Sequence, residues 1–281
     1  MNASEPVRAK TIHRFTETFA RHGFDAAAMY PAYGMAEATV LISGGRRGEG
    51  PVIREASRDA LPRGRVTAPA NMNDAQAMVG CGRALPHQRI AIVDPATRRR
   101  CSGDEIGEVW AAGPNIAPGY WRNPDATAEA FGAGIVGEDE PIWLRTGDLG
   151  FLNATSELFI TGRIKEVVII RGVNHYPQDI EYTVQACHPA LRPHGGAAFA
   201  AADALGVERL VIVQEVERTF RNQIDPDALA GKIRDAVVRE HDVAPHQIVL
   251  LRPGALPKTT SGKIQRSVSR QLWRSGVLDI L

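Results

Sequence analysis

Cysteine is scarce: only Cys81, Cys101 and Cys187 occur, far apart and without any C-x-x-C pair. That excludes a disulfide framework and a cysteine zinc site, and it points to a reducing, cytoplasmic setting. Long apolar runs are missing too. No segment approaches the roughly 20 apolar residues of a membrane span, and the opening MNASEPVRAKTIHRF lacks the apolar stretch of a signal peptide. Neither basic nor acidic residues are in marked excess. With 33 basic against 32 acidic residues the formal charge is +1, which gives no electrostatic reason to expect nucleic acid or a membrane surface as partner. The run Arg98–Arg100 is short enough to be a solvated turn, and His188 and His194 flank a Pro-containing loop without ligand-like company. Neither internal repeats nor low-complexity tracts occur. What is present, 44% hydrophobic and 23% charged residues over 281 positions, describes an ordinary globular chain of one large or two medium domains.

Hydrophobic spacing orders the chain. Val7, Ile12, Phe15 and Phe19 predict an amphipathic helix over 7–22, and a helix start is expected at Ala36. Residues 43–79, rich in Gly, Arg, Pro and Ala, read as a long irregular insertion with a short apolar piece at Val52–Ile53. Strands are expected at Arg89–Asp94, at Gly107–Ala111, on both sides of Gly150 and at Glu157–Ile160. Asn123 and Pro124 signal a helix to Phe131. From residue 162 strands and helices interleave: strands at 167–170, 196–201, 209–216 and 247–252, and helices from Tyr176–Pro177, from Asp225–Pro226 and from about 264. The boundary is therefore placed at 161/162, and Gly162 in Thr161–Gly162–Arg163 reads either as a pivot, where glycine's backbone freedom suits a hinge, or as a plain turn glycine.

Chemistry-bearing residues fall into four clusters. They are Tyr33–Gly34–Met35–Ala36–Glu37; Tyr120–Pro124 followed by Trp143–Gly150 with its Thr146–Gly147–Asp148; Gly162–Glu166 continuing to Asn174–Glu181; and Leu256–Ile264 with its Ser261–Gly262–Lys263. Taken singly, each has a plain structural reading: an acid in a helix first turn, a Gly-Asp turn, a charged hairpin, a polar loop. The last one looks like a phosphate loop but is not one, because Pro257 stands where that motif needs Gly and Ile264 where it needs Ser or Thr.

In combination and order the clusters resemble the adenylate-forming superfamily of acyl-CoA synthetases, peptide-synthetase adenylation domains and luciferases, over essentially the whole chain. The resemblance implies α/β and α+β architecture: residues 1–161 as the C-terminal part of the large N-domain, a β-barrel-like subdomain plus a sheet remnant, and residues 162–281 as a small mobile α+β lid. It implies ATP and Mg²⁺ as cofactors and attack of a carboxylate on the α-phosphate. By resemblance Glu37 helps hold Mg²⁺, Asp148 accepts from the ribose hydroxyls, and Arg163 contacts the same ribose region. Lys263 bridges carboxylate and phosphate. Ser4–Glu5–Pro6 resembles the loop lining the adenine and Tyr33 the ring stacking on it, with Gly34, Met35 and Ala36 in the same motif.

Within the superfamily the sequence is closest to the fatty-acyl-AMP ligases. Ala36 precedes Glu37 where most relatives have Thr, the run Asn174–Asp179 follows that branch's version, and the insertion at 43–79 matches in position one thought to restrain the C-terminal domain. The implied substrate is a fatty acid and the implied acceptor the phosphopantetheine thiol of an acyl carrier protein. A fatty-acyl-CoA ligase and a non-catalytic remnant or interaction module are the alternatives. Relatives carry a Ser/Thr/Gly-rich phosphate loop upstream of Tyr33, and residues 1–32 hold none. The chain is therefore expected to be the C-terminal half of such an enzyme: a truncated or mis-started product, one half of a split enzyme working with an upstream N-terminal half, or a deliberately excised piece. Its N-terminal part is expected to expose a sheet edge and apolar surface.

Overall fold

The computed structural model describes residues 6–139, 142–203 and 205–281 and divides the chain into two units, Met1–Lys165 and Glu166–Leu281. In the first unit, α1 (Ala9–Ala20) turns Ala9 and Ile12 inward against Val79. Phe15 and Phe19, on the same helix, stay 41% exposed with their rings 4.5 Å apart. The strands β1 (Ala32–Tyr33), β2 (Ser43–Gly44), β3 (Ile53–Ser57), β4 (Ala75–Val79), β5 (Arg83–Ala84), β6 (Arg89–Val93) and β7 (Gly107–Ala112) follow in turn. Then come α2 (Pro124–Ala130), β8 (Leu144–Leu152) and β9 (Leu158–Arg163).

β6, β7, β8 and β9 form an antiparallel sheet in chain order. Period-two alternation explains its two faces. Ile92, Val109, Ala111 and Leu144 pack into one apolar cluster with Tyr33 and Ile42, while Ala91, Val93, Trp110 and Ala112 pack into another with Trp143. Farther along, Phe151 and Phe159 are register partners whose rings stack 4.9 Å apart. Ala56, Leu61, Val66 and Met78 cover them. β1, β2 and β5 form a separate small sheet. At its edge the backbones come so close that a Cβ on Gly82, where φ is +80°, would lie 1.7 Å from a carbonyl carbon of Gly44.

Several expectations are corrected here. The stretch 43–79 is not irregular: it holds β2, β3 and β4, and β3 pairs antiparallel with β4 from Ile53↔Val79 to Ser57↔Ala75. Its apolar residues are too sparse to alternate over a full strand, so local spacing hides the pairing. A single strand, β8, runs through Gly150, which pairs with both Gly107 and Ile160. The helix start at Ala36 is one 3₁₀ turn, Ala36–Ala38, closed by Thr39 in the left-handed region at φ 52°. α2 carries the expected cap, Asn123 Oδ1 accepting from the Ala126 N–H at 3.2 Å.

In the second unit β10 (Val168–Ile170) and β11 (Val173–His175) form a hairpin whose turn residues Arg171 and Gly172 have φ of 52° and 76°. α3 (Pro177–Ala186), β12 (Leu191–Ala202), β13 (Glu208–Val216), α4 (Pro226–His241), β14 (Gln247–Leu251) and α5 (Arg266–Arg274) complete it. β13 is central, antiparallel to β12 and parallel to β14, and α4 makes the crossover a parallel pair requires. The strands read as almost unbroken apolar runs because both faces are covered. Ala198, Leu210, Ile212 and Leu250 join Ile180, Val184, Leu229 and Ile233 from α3 and α4. Ala197, Phe199, Val211, Val213 and Val249 face the cluster containing Leu272 and Trp273 of α5. Gly162, expected as a pivot, is a β9 residue paired with Leu149. Among the described residues no helix is long and apolar enough to cross a membrane.

Candidate functional site

Asp148 owes its position to a break in the sheet. β7 and β8 pair at Trp110↔Arg145 and again at Glu108↔Leu149, so Thr146, Gly147 and Asp148 stand opposite Val109 alone. This is a bulge, a device that re-aims a side chain from within a rigid sheet. Glycine at 147 fits because φ there is +71°. The bulge is pinned from beneath by Glu108, a carboxylate only 2% exposed. Its Oε2 accepts from Arg145 Nε and Nη2 at 3.0 and 2.9 Å, and its Oε1 accepts from the Gly147 N–H at 3.1 Å. Thr146 donates its hydroxyl to the Val109 carbonyl at 2.6 Å and accepts from the Asp148 N–H at 3.1 Å.

Both oxygens of the Asp148 carboxylate are engaged. Arg163 Nε lies 3.0 Å from Oδ1, and the Tyr33 hydroxyl donates to Oδ2 at 2.8 Å. Asp148 and Arg163 are cross-strand partners in β8 and β9, so the ion pair follows from register. Burial and then the neighbouring carboxylate hold the Tyr33 hydroxyl well above the usual phenol range, so it stays a donor. The Tyr33 ring lies in the apolar cluster with Ala38 and Ile42, and its hydroxyl is the atom presented to Asp148.

Glu37 lies four residues along, past a tight turn. Gly34 makes that turn possible: a Cβ there would sit 1.8 Å from the Val40 carbonyl oxygen. Thr39 and Val40 follow with φ of 52° and 77°. Asn115 holds this strained return by donating to the carbonyls of Ala38 and Leu41 at 2.6 and 3.3 Å, while Thr39 donates its hydroxyl to the Asn115 carbonyl at 2.7 Å. The Ala117 N–H donates to the Glu37 carbonyl at 2.8 Å, and the Tyr120 hydroxyl donates to Glu37 Oε1 at 2.7 Å. That hydrogen bond, with burial, pushes the Tyr120 phenol up to about 12. Contacts thus join Tyr33, Asp148 and Arg163 in one group and Tyr120 with Glu37 in another, and the Arg163 charge opposes the rise at both phenols. Beside the second group, an apolar cleft of about 490 Å³ is lined by Ile116, Ala117, Phe131 and Trp143 among others.

Lys263 belongs to the second unit, on the turn between Lys258 and Ile264, which bridge each other. Thr259 closes the turn: its N–H donates to the Lys263 carbonyl at 2.8 Å, and its hydroxyl oxygen accepts from the Lys263 N–H at 3.0 Å. The Lys263 side chain is exposed. Of the remaining expected site residues, Met35 packs half-buried against the Tyr33 cluster, and Ala36 and Pro6 are exposed. Ser4 and Glu5 lie outside the described residues. Sequence reading gave no role to Glu108, Asn115 or Tyr120. The available signal for Glu108 was an acid inside an apolar strand run; for Tyr120 it was its place at the head of the second cluster; for Asn115 there was none.

Known proteins match this chain along most of its length. Residues 1–121 match the family described as AMP-binding enzyme, and residues 165–281 match the AMP domain of Disco-interacting protein 2-like proteins. The medium-chain-fatty-acid–[acyl-carrier-protein] ligase JamA of Moorena producens is 46% identical over 99% of the chain and 47% of its own length. A ligase of the same description, TtuA of Teredinibacter turnerae, is 39% identical over 96% of the chain and 43% of its own length. A solved structure from a study of fatty acyl-adenylate ligases of E. coli and L. pneumophila superposes with a TM-score of 0.80 at 30% identity, over 98% of this chain and 47% of that one. The chain thus spans about half the length of the curated relatives it matches.

Proposed function

The chain belongs to the AMP-binding, adenylate-forming enzymes, in the fatty-acyl-AMP ligase family, and from that premise we propose that it supplies the ribose-binding and lysine-bearing parts of an enzyme that converts a fatty acid and ATP to acyl-AMP and pyrophosphate. The observation that carries the proposal is the Asp148 bulge. A carboxylate whose oxygens can each accept more than one hydrogen bond suits a pair of vicinal hydroxyls, and Tyr33 and Arg163 orient it. In the reaction a fatty-acid carboxylate oxygen bonds to the α-phosphorus, the bond to the bridging oxygen of the β-phosphate breaks, and pyrophosphate leaves. Lys263 offsets negative charge between the carboxylate and the phosphate as a mobile point charge.

Glu37 presents one carboxylate on a clamped turn. That arrangement fits Mg²⁺, which is commonly held by one or two carboxylates with phosphate oxygens and water completing the shell. The cation would supply charge neutralisation at the phosphates. Arg163 holds the ribose end. Residues 43–79 serve as the insertion that keeps the second unit from using free CoA, so an acyl carrier protein is the acceptor, and medium-chain acids are the favoured substrates.

Calorimetric titration of the 281-residue chain with a non-hydrolysable acyl-adenylate tests the site. Binding that Asp148→Asn weakens supports it; equal binding by both overturns it. Pyrophosphate release with fatty acid, ATP and Mg²⁺ tests the reaction. Residues 1–32 hold no phosphate loop, so little turnover is expected from these 281 residues alone, and full turnover would refute that expectation. Thioester formation with free CoA in an active preparation would move the protein to the CoA-ligase branch.

A further inference from the structure

We infer that Arg266 is a positioning residue for Lys263: it ties the turn carrying that lysine to Glu166, the first residue of the second unit. The inference deepens, and rests on, the role given to Lys263 above. Arg266 stands three residues beyond Lys263 and opens α5. Its guanidinium grips Glu181 with both arms of a fork, Nε to Oε1 and Nη2 to Oε2, each at 2.7 Å. The remaining nitrogen, Nη1, reaches Glu166 Oε2 at 2.5 Å. The Arg266 side chain is 18% exposed and that of Glu181 10%. Glu181 also accepts from the Ala198 N–H at 3.0 Å, which fixes the fork to β12.

The other end of the turn is anchored independently. The Leu256 N–H donates to Glu215 Oε1 at 2.8 Å, and Glu215, 1% exposed at its side chain, is paired with Arg192 at 2.8 Å. Between the two anchors the Gln265 N–H closes on the Pro257 carbonyl at 3.0 Å, leaving Thr260–Lys263 exposed at the tip. A single buried ion pair is weak grounds for assigning stability. Here the chemistry is more particular: one planar cation must serve two carboxylates from different elements, which arginine's fixed fork does and lysine's ammonium does not. Glu166 gives the contact its reach. Its chain neighbour Lys165 ends the first unit, with Nζ 3.6 Å from Glu129, so two adjacent residues take their partners from different units.

Amide hydrogen exchange of the 281-residue chain, read by mass spectrometry, tests the tie without requiring activity. In Arg266→Gln, exchange across 257–265 is expected to rise about tenfold or more while α4 is unchanged, and Arg266→Lys is expected to recover part of the loss. Because Arg266→Gln leaves Glu181 buried beside no cation and can unfold the unit, Glu166→Gln is the second arm, expected to loosen 257–265 to a smaller degree. An unchanged turn in Glu166→Gln, or a uniform rise across the unit in both variants, overturns the inference. In an acyl-adenylate-forming preparation, Glu166→Gln should lower kcat several-fold with KM for ATP held within about twofold; a loosened turn with unchanged kcat would also overturn it. Full adenylation by Lys263→Ala would remove the role of Lys263 while the exchange result still judged the contact.

Discussion

The turn bearing Asp148 and the turn bearing Lys263 are fixed at different levels. At Asp148 the functional group itself is held: Tyr33 donates to one oxygen, Arg163 lies against the other, and buried Glu108 pins the backbone below. At Lys263 only the base of the turn is held, by Glu215 at one end and Arg266 at the other, and among the described residues the ammonium makes no ion pair. The difference suits the two roles proposed for these residues. Recognising a pair of hydroxyls profits from acceptors that do not move, because ordering them afresh with each ligand would cost entropy. Delivering a positive charge to a reacting phosphate profits from a firm base and an unsatisfied tip.

The comparison breaks most visibly at Lys263. In an acyl-adenylate-forming preparation Lys263→Ala should cut the rate more than a hundredfold, about 3 kcal/mol of transition-state stabilisation, with the melting temperature unmoved because the side chain is exposed. Activity kinetics beside a thermal melt check both halves. Next, Glu108→Ala leaves Arg145 without its buried partner and should destabilise the first unit by about 3 kcal/mol in urea denaturation. A loss below about 1 kcal/mol would mean that the bulge stands by backbone pairing alone. Gly34→Ala should cost about 2 kcal/mol, since a methyl 1.8 Å from a carbonyl oxygen must move the turn of Glu37.

The smallest effects separate the units by pH. Burial depresses the His175 imidazole in the second unit, so its folded form binds fewer protons than the unfolded chain. That contribution is present above the ordinary histidine value and fades as pH falls below it. Burial, with Glu157 nearby, pushes the Cys81 thiol in the first unit from 9.0 to about 12. The stability linked to Cys81 is whole below pH 9 and is lost as pH climbs toward 12. Denaturation at pH 7 and 5.5 should therefore show an acid loss that His175→Asn abolishes, and denaturation at pH 7 and 10 an alkaline loss that Cys81→Ala abolishes; unchanged pH dependence in either variant would discard that assignment.

Local signals explain which parts of the fold were legible. α2 and α4 announce themselves through a cap and a following proline, Asn123–Pro124 and Asp225–Pro226, and both caps form the expected hydrogen bonds. Thr146–Gly147–Asp148 was visible as a motif, but its support was not, because Glu108 and Arg145 lie 37 residues apart and meet only through sheet register. β3 and β4 escaped notice for the same reason: their pairing closes over a loop holding few apolar residues, so nothing local distinguishes them from coil. The lysine turn could be placed by its residues, whereas the grip of Arg266 on Glu166 spans 100 positions.

The close backbone approaches at Gly34 and Gly82 carry an evolutionary corollary. No other residue fits at either position without moving main chain. In a lineage that ceased to make adenylates, Glu37 and Asp148 would be free to drift while both glycines stayed. Loss of either glycine would report a changed backbone, whereas loss of either acid would report a changed site on an unchanged fold.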